Sequence, residues 1–165
     1  GVGRTWLGRA PGSSLQDDEY RAVLADFSAA GLGADDEGDA ILNRMWLKLG
    51  ANAVINPLTA LWEVPNGAVL EREEGAQAVH EVCDEVAALA KKLMTTFPER
   101  YGDASLAPTS EALREFVRGV AAQTAANRSS MLQDILAGRP TEVDFLSGWV
   151  ADAAARAGVP APACA

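Results

Sequence analysis

Cysteine, histidine, positive charge and unbroken apolar runs are all scarce in this chain of 165 residues, and each scarcity closes off a class of function. The two cysteines, Cys83 and Cys164, are too few for a disulfide framework and suit a reducing cytoplasm. The single histidine, His80, stands outside any CxxC or HExxH spacing, which argues against a zinc site. Lys and Arg number 14 against 23 Asp and Glu, a formal charge of −9, so nonspecific attraction to nucleic acid or an anionic membrane is disfavoured. The longest apolar run, 46–62, falls short of the ~20 residues that a bilayer requires and is broken by Asn52, Asn56 and Pro57. The opening GVGRTWLGRAPG lacks the basic start and apolar stretch of a secretory signal. The expectation is a soluble cytoplasmic protein with no metal, no nucleic-acid partner and no membrane partner.

What is present is ordinary for a globular protein: 48% hydrophobic and 22% charged residues, in a length that allows one good core or one domain plus part of another. In DDEYRAVLADFSAAG, Tyr20, Val23, Leu24 and Phe27 recur at helical spacing behind an acidic first turn, and Gly31 supplies a stop. The acidic LGADDEGD reads as a poor strand, with a domain boundary near Glu37. A long helix is predicted from about Asp39 to Trp62, closed by the turn residues of VPNG. A second runs from Ala76 to Phe97, with Val79, Cys83, Val86, Ala90 and Leu93 as its apolar stripe and Pro98 as its end. A third begins near Ser110, a shorter one ends at Gly138, and a last one is expected to start at Thr141, with Asp144 completing an approximate capping box. The result is a mainly α chain preceded by a short strand–helix–strand unit.

Between Met45 and Trp62 the only charged, amide or hydroxyl side chains are Lys48, Asn52, Asn56 and Thr59, spaced so that they fall on one stripe of the helix. Arg44 and Glu63 extend it at either end. From Lys48 to Asn56 the stripe is roughly 12 Å long, the size of a small polar metabolite. It reads either as the solvent face of an amphipathic helix or as one wall of a polar cavity; amides stand where Glu, Lys or Arg usually serve solubility. Pro57 removes one backbone hydrogen bond and presses on the Ala53 carbonyl, so a kink that re-aims Asn56 is expected.

The stretches WLKLGANAVINPLTALWEVPNG and NRSSMLQDILAGRPTEVDFLSG together resemble the C-terminal domain of the ketopantoate reductases (2-dehydropantoate 2-reductases). That pattern is a Lys, then Asn four and eight residues later followed by Pro-Leu, then PNG, and later Ser-Ser-Met, an Asp and Thr-Glu, all present here in order. GRTWLG resembles the strand with which the family's NADPH-binding domain nears its end. The resemblance implies residues 1–37 as the end of a Rossmann domain and 38–165 as a helical substrate-binding and dimerisation domain of the 6-phosphogluconate-dehydrogenase-like type. The opening GVG lacks GxGxxG spacing and is no nucleotide fingerprint.

The family reduces ketopantoate to D-pantoate with NADPH, on the way to pantothenate and coenzyme A. Carried over by motif position, the resemblance makes Lys48 the catalytic lysine and Glu142 the acidic partner at the reacting end. Asn52, Asn56, Asn66 and Ser130 become substrate-binding residues, and Glu85 a further acidic candidate. Without the resemblance, Glu142 reads as a first-turn acid complementing a helix dipole, Ser130 as an ordinary helix-terminal hydroxyl, and Asn66-Gly67 as a turn pair. Glu85 stands between the apolar and charged faces of its helix, where a structural role fits equally well. The implied partner is a small 2-keto acid, and pairing of two copies is a further expectation. Two rivals stand beside this reading: a paralogous reductase of another 2-keto acid, and a noncatalytic helical module that only pairs subunits. In isolation the chain is expected not to turn over, since most of a nucleotide domain lies outside it.

Overall fold

The computed structural model describes residues 5–165; the opening GVG and Arg4 lie outside the described residues. Strand β1 (Thr5–Leu7), helix α1 (Asp17–Ala29) and strand β2 (Ala34–Asp36) form the expected strand–helix–strand unit. The two strands pair in parallel, Thr5 opposite Ala34 and Leu7 opposite Asp36. Parallel neighbours need a crossover, and α1 provides it. The Gln16 side chain and Glu19 cap the start of α1 reciprocally. Tyr20, the one buried residue of that helix, donates its hydroxyl to Asp36 at 2.7 Å and so ties α1 to β2.

The rest is helical: α2 (Ala40–Trp62), α3 (Glu73–Thr96), α4 (Pro98–Tyr101), α5 (Ser110–Gln123), α6 (Ser130–Leu136) and α7 (Ser147–Ala157), with short 3₁₀ segments at Asn66–Glu71, Ala104–Leu106 and Val143–Phe145. The core lies where α2, α3, α5 and α7 meet: Val54 from α2, Val86 and Leu89 from α3, Leu113 and Val117 from α5, and Val150 from α7 are all buried. Each such side chain withdrawn from water stabilises the fold by about 1.5–3 kcal/mol before chain entropy is counted. Trp46 and Trp149, with ring centroids 6.0 Å apart, carry the contact between α2 and α7 outward from this core. No helix among the described residues is long and apolar enough to cross a membrane.

Two expectations need correcting. Thr141 does not cap a long helix; its hydroxyl accepts only a long bond from Val143, the chain makes one 3₁₀ turn, and α7 starts at Ser147. Leu146, at φ −106° and ψ −96°, is not helical, and it separates the two pieces. Pro98, expected only to end the second helix, also opens the short α4, because proline's fixed φ and missing N–H suit the first position of a helix.

Candidate functional site

Helix α2 carries the polar stripe, and burial increases along it: Lys48 is exposed, Asn52 half-buried, Asn56 7% exposed and Thr59 fully buried. Among the described residues, the side chains of Lys48, Asn52 and Asn56 form no hydrogen bond or ion pair with another protein group. The Asn56 amide, though on a largely buried residue, keeps its Oδ1 and Nδ2 in contact with solvent, so it is open to water or to a ligand from outside the chain. Arg44 is engaged within the chain: its guanidinium lies 4.2 Å over the Trp6 ring of β1 and donates to Glu37, just past β2, at 2.7 Å, while its Nε is buried without a hydrogen-bond partner.

Pro57 deprives the Ala53 carbonyl of its usual helical donor. The Ser147 hydroxyl, at the start of α7, donates to that carbonyl at 3.2 Å. Two residues beyond Pro57, Thr59 donates its hydroxyl to the Asn56 carbonyl at 2.9 Å and meets the Ser129 hydroxyl at 2.6 Å. Ser129 caps α6, its Oγ accepting from the Leu132 amide at 3.0 Å, and Ser130 is the exposed first residue of that helix. The Thr59–Ser129 bond thus brings the start of α6 against α2 beside Asn56.

The 3₁₀ turn after α2 adds Asn66. Its backbone amide donates to Asn127 and that of Gly67 to Ala125, at 2.9 and 3.1 Å, so the turn docks on the connection between α5 and α6. A Cβ on Gly67 would lie 2.7 Å from the Ala125 Cβ, which leaves no room for a side chain. The Asn66 amide nitrogen donates to the Thr124 hydroxyl at 2.9 Å, while its Oδ1 is buried with no hydrogen-bond partner. With Arg44 Nε, it is one of two buried side-chain polar atoms among the described residues that lack a hydrogen-bond partner.

The remaining candidates fall elsewhere. Glu142 is exposed ahead of the 3₁₀ turn at Val143–Phe145, and among the described residues no ion pair joins it to Lys48. Glu85, on α3, is only 8% exposed, and its carboxylate accepts from the Ala163 and Cys164 amides at 2.7 and 3.0 Å. Both of its oxygens are occupied in holding residues 163–164. Burial pushes the Cys83 thiol up to about 11 and raises that of Cys164 as well, with the Glu85 carboxylate adding to the second, so neither is an activated nucleophile. Met45 and Leu49, either side of Lys48 in sequence, line an open cavity of about 630 Å³ with Trp46, Trp149 and Phe145. The residues that sequence reasoning missed are Ser129 and Ser147. The proline inside α2 was a readable signal for the second, since an orphaned carbonyl needs a donor.

Residues 40–165 match the family described as ketopantoate reductase PanE/ApbA C terminal. The chain belongs to that family. The 2-dehydropantoate 2-reductase of Shigella flexneri is 38% identical over 151 residues, 92% of this chain and 45% of its own length. That of Archaeoglobus fulgidus is 36% identical over 151 residues, 91% of this chain and 45% of its own. The chain therefore spans under half the length of these curated relatives. Among solved structures, a PanE/ApbA family ketopantoate reductase from Ralstonia eutropha superposes with a TM-score of 0.76 at 25% identity, covering 98% of this chain and 48% of the other. D-mandelate dehydrogenase with NADH and anilino(oxo)acetate superposes with a TM-score of 0.75 at 22% identity, covering 96% of this chain and 47% of the other, a likeness of fold alone. As a ketopantoate-reductase-family domain, the chain is mainly helical with one small parallel strand pair near its N-terminus.

Proposed function

We propose that this chain is the substrate-binding and catalytic-lysine part of an NADPH-dependent 2-dehydropantoate 2-reductase. Residues 1–37 then belong to the end of the nucleotide-binding domain and 38–165 form the helical substrate domain. The observation that carries the reading is the row of unpartnered polar groups Lys48, Asn52 and Asn56 on α2, together with the orphaned Asn66 Oδ1 on the 3₁₀ segment that follows α2.

The cofactor's phosphates are held elsewhere. The start of α1 carries Asp17, Asp18 and Glu19, whose charge repels a diphosphate where a nucleotide-binding helix would present its positive end. When bound, NADPH supplies a hydride to the keto carbon. The negative charge that develops on the keto oxygen is stabilised by the Lys48 ammonium, which then donates the proton that completes the alcohol. Asn52, Asn56 and Asn66 offer amide donors and acceptors to the substrate's hydroxyl and carboxylate and fix its orientation without adding net charge. Ser130 supplies a hydroxyl from the start of α6. Glu142, exposed ahead of the 3₁₀ turn at Val143–Phe145, is assigned as the acidic partner at the reacting end by its position in the family motif.

The test is a chimera in which the NADPH-binding domain of the Shigella flexneri relative is joined to this chain and given a panel of 2-keto acids. The reading predicts NADPH oxidation with the highest kcat/KM for ketopantoate. Preference for an aryl 2-keto acid would make the chain a paralogous reductase. No keto-acid-dependent oxidation from a folded, NADPH-binding chimera would leave the helical module that only pairs subunits.

A further inference from the structure

We infer that Thr59 and Ser129 are positioning residues of the proposed substrate site, forming a one-way hydrogen-bond relay that fixes the start of α6, with Ser130, beside Asn56 on α2. The inference rests on the reading above and adds two residues that touch no substrate. Its direction follows from which atoms are able to donate. The Asn56 carbonyl only accepts, so the 2.9 Å contact uses the Thr59 hydroxyl proton. With that proton committed, the 2.6 Å contact runs from the Ser129 hydroxyl to Thr59 Oγ1. Ser129 Oγ in turn accepts from the Leu132 amide at 3.0 Å. Every proton from the first turn of α6 to the α2 backbone is thereby assigned.

The surroundings make the relay matter. Thr59 is fully buried and Ser129 is 6% exposed, so water cannot easily replace a missing hydroxyl, and hydrogen bonds in series polarise one another. Pro57 interrupts the backbone ladder of α2 in the turn that carries Asn56. That weakened turn is braced on two carbonyls, Ala53 by Ser147 from α7 and Asn56 by Thr59 within α2, whose hydroxyl is in turn held by Ser129. Of the two braces, only the Thr59–Ser129 relay links Asn56 to a second proposed substrate residue, because Ser130 follows the Ser129 cap directly.

Thr59→Val keeps the shape and removes the hydroxyl, Thr59→Ser keeps the hydroxyl, and Ser129→Ala cuts the relay from the other side. In the active chimera, Thr59→Val and Ser129→Ala should each raise KM for the keto acid about tenfold, with KM for NADPH unchanged, while Thr59→Ser stays within about twofold of the parent. The double variant should be little worse than either single one, because both cut the same chain. A role confined to stability would lower the melting temperature and leave the keto-acid KM where it was, and that result overturns the inference. On the 165-residue chain itself, hydrogen exchange at the Leu132 amide should quicken about tenfold in Thr59→Val and not in Thr59→Ser. Unchanged exchange overturns the relay even if the chimera proves inactive, so its failure and that of the proposed function are told apart.

Discussion

Replacing Glu85 by Gln isolates one structural claim, because the two side chains have the same shape and differ in charge. The carboxylate accepts from two successive backbone amides, Ala163 at 2.7 Å and Cys164 at 3.0 Å, at a site 8% exposed. Glutamine's carbonyl serves one of those amides, but its NH₂ then faces the other N–H with nothing to accept. One charge-assisted bond is lost, about 2 kcal/mol within the range for hydrogen bonds to charged groups. For a protein of this size that corresponds to a melting-temperature drop of roughly 4–8 °C. Urea unfolding measures the global part. Thiol alkylation at pH 8 measures the local part, since Cys164 is 5% exposed and its thiol is raised by burial and then by Glu85. The parent should label slowly until denatured, and Glu85→Gln should label faster at Cys164 with Cys83 still protected. An unchanged urea midpoint together with unchanged labelling would refute the argument that Glu85 holds residues 163–164. A raised keto-acid KM with unaltered stability would instead place Glu85 in the substrate site.

Two further outcomes follow from single contacts. Ser147→Ala leaves the Ala53 carbonyl opposite Pro57 without its donor and should destabilise by about 1 kcal/mol in urea unfolding; no shift would mean that the carbonyl had no need of Ser147. Tyr20→Phe removes the hydrogen bond that, ahead of the Gly38 amide, holds the Asp36 carboxyl below the usual range. A carboxyl depressed in the folded state stabilises above its unfolded value, near pH 4, and loses that contribution as pH falls through the folded value. An NMR titration should therefore show the Asp36 carboxyl moving up in Tyr20→Phe and stability falling less steeply in acid, whereas an unmoved titration would show the bond to be absent in solution.

The helices α2, α3 and α5 were legible because apolar spacing of about 3.6 residues repeats over several turns, a signal that short elements cannot build up. The stripe on α2 was readable for the same reason, since its four polar residues share one helix. What joins the stripe to the rest was not. Thr59 and Ser129 are 70 residues apart, Glu85 and Ala163 78, and Ser147 and Ala53 94, and a lone hydroxyl or carboxylate carries no mark of a distant partner. The start of α7 was misplaced because Thr141 and Asp144 have the local spacing of a cap, whereas the helix begins at Ser147, whose hydroxyl reaches Ala53. Local capping gave way to a tertiary contact. Glu85, open between two roles in the sequence, has both oxygens occupied by backbone amides.

The most direct test of the central claim is Lys48→Ala in the active chimera, with single-turnover NADPH oxidation followed at saturating ketopantoate. On the proposed reading, in which the Lys48 ammonium stabilises and then protonates the keto oxygen, its loss should slow the chemical step by about 10²–10⁴-fold, with circular dichroism and NADPH affinity unchanged. A variant that folds, binds NADPH and reduces ketopantoate at the parent rate would show that Lys48 is a solvent-facing side chain and not a catalytic one.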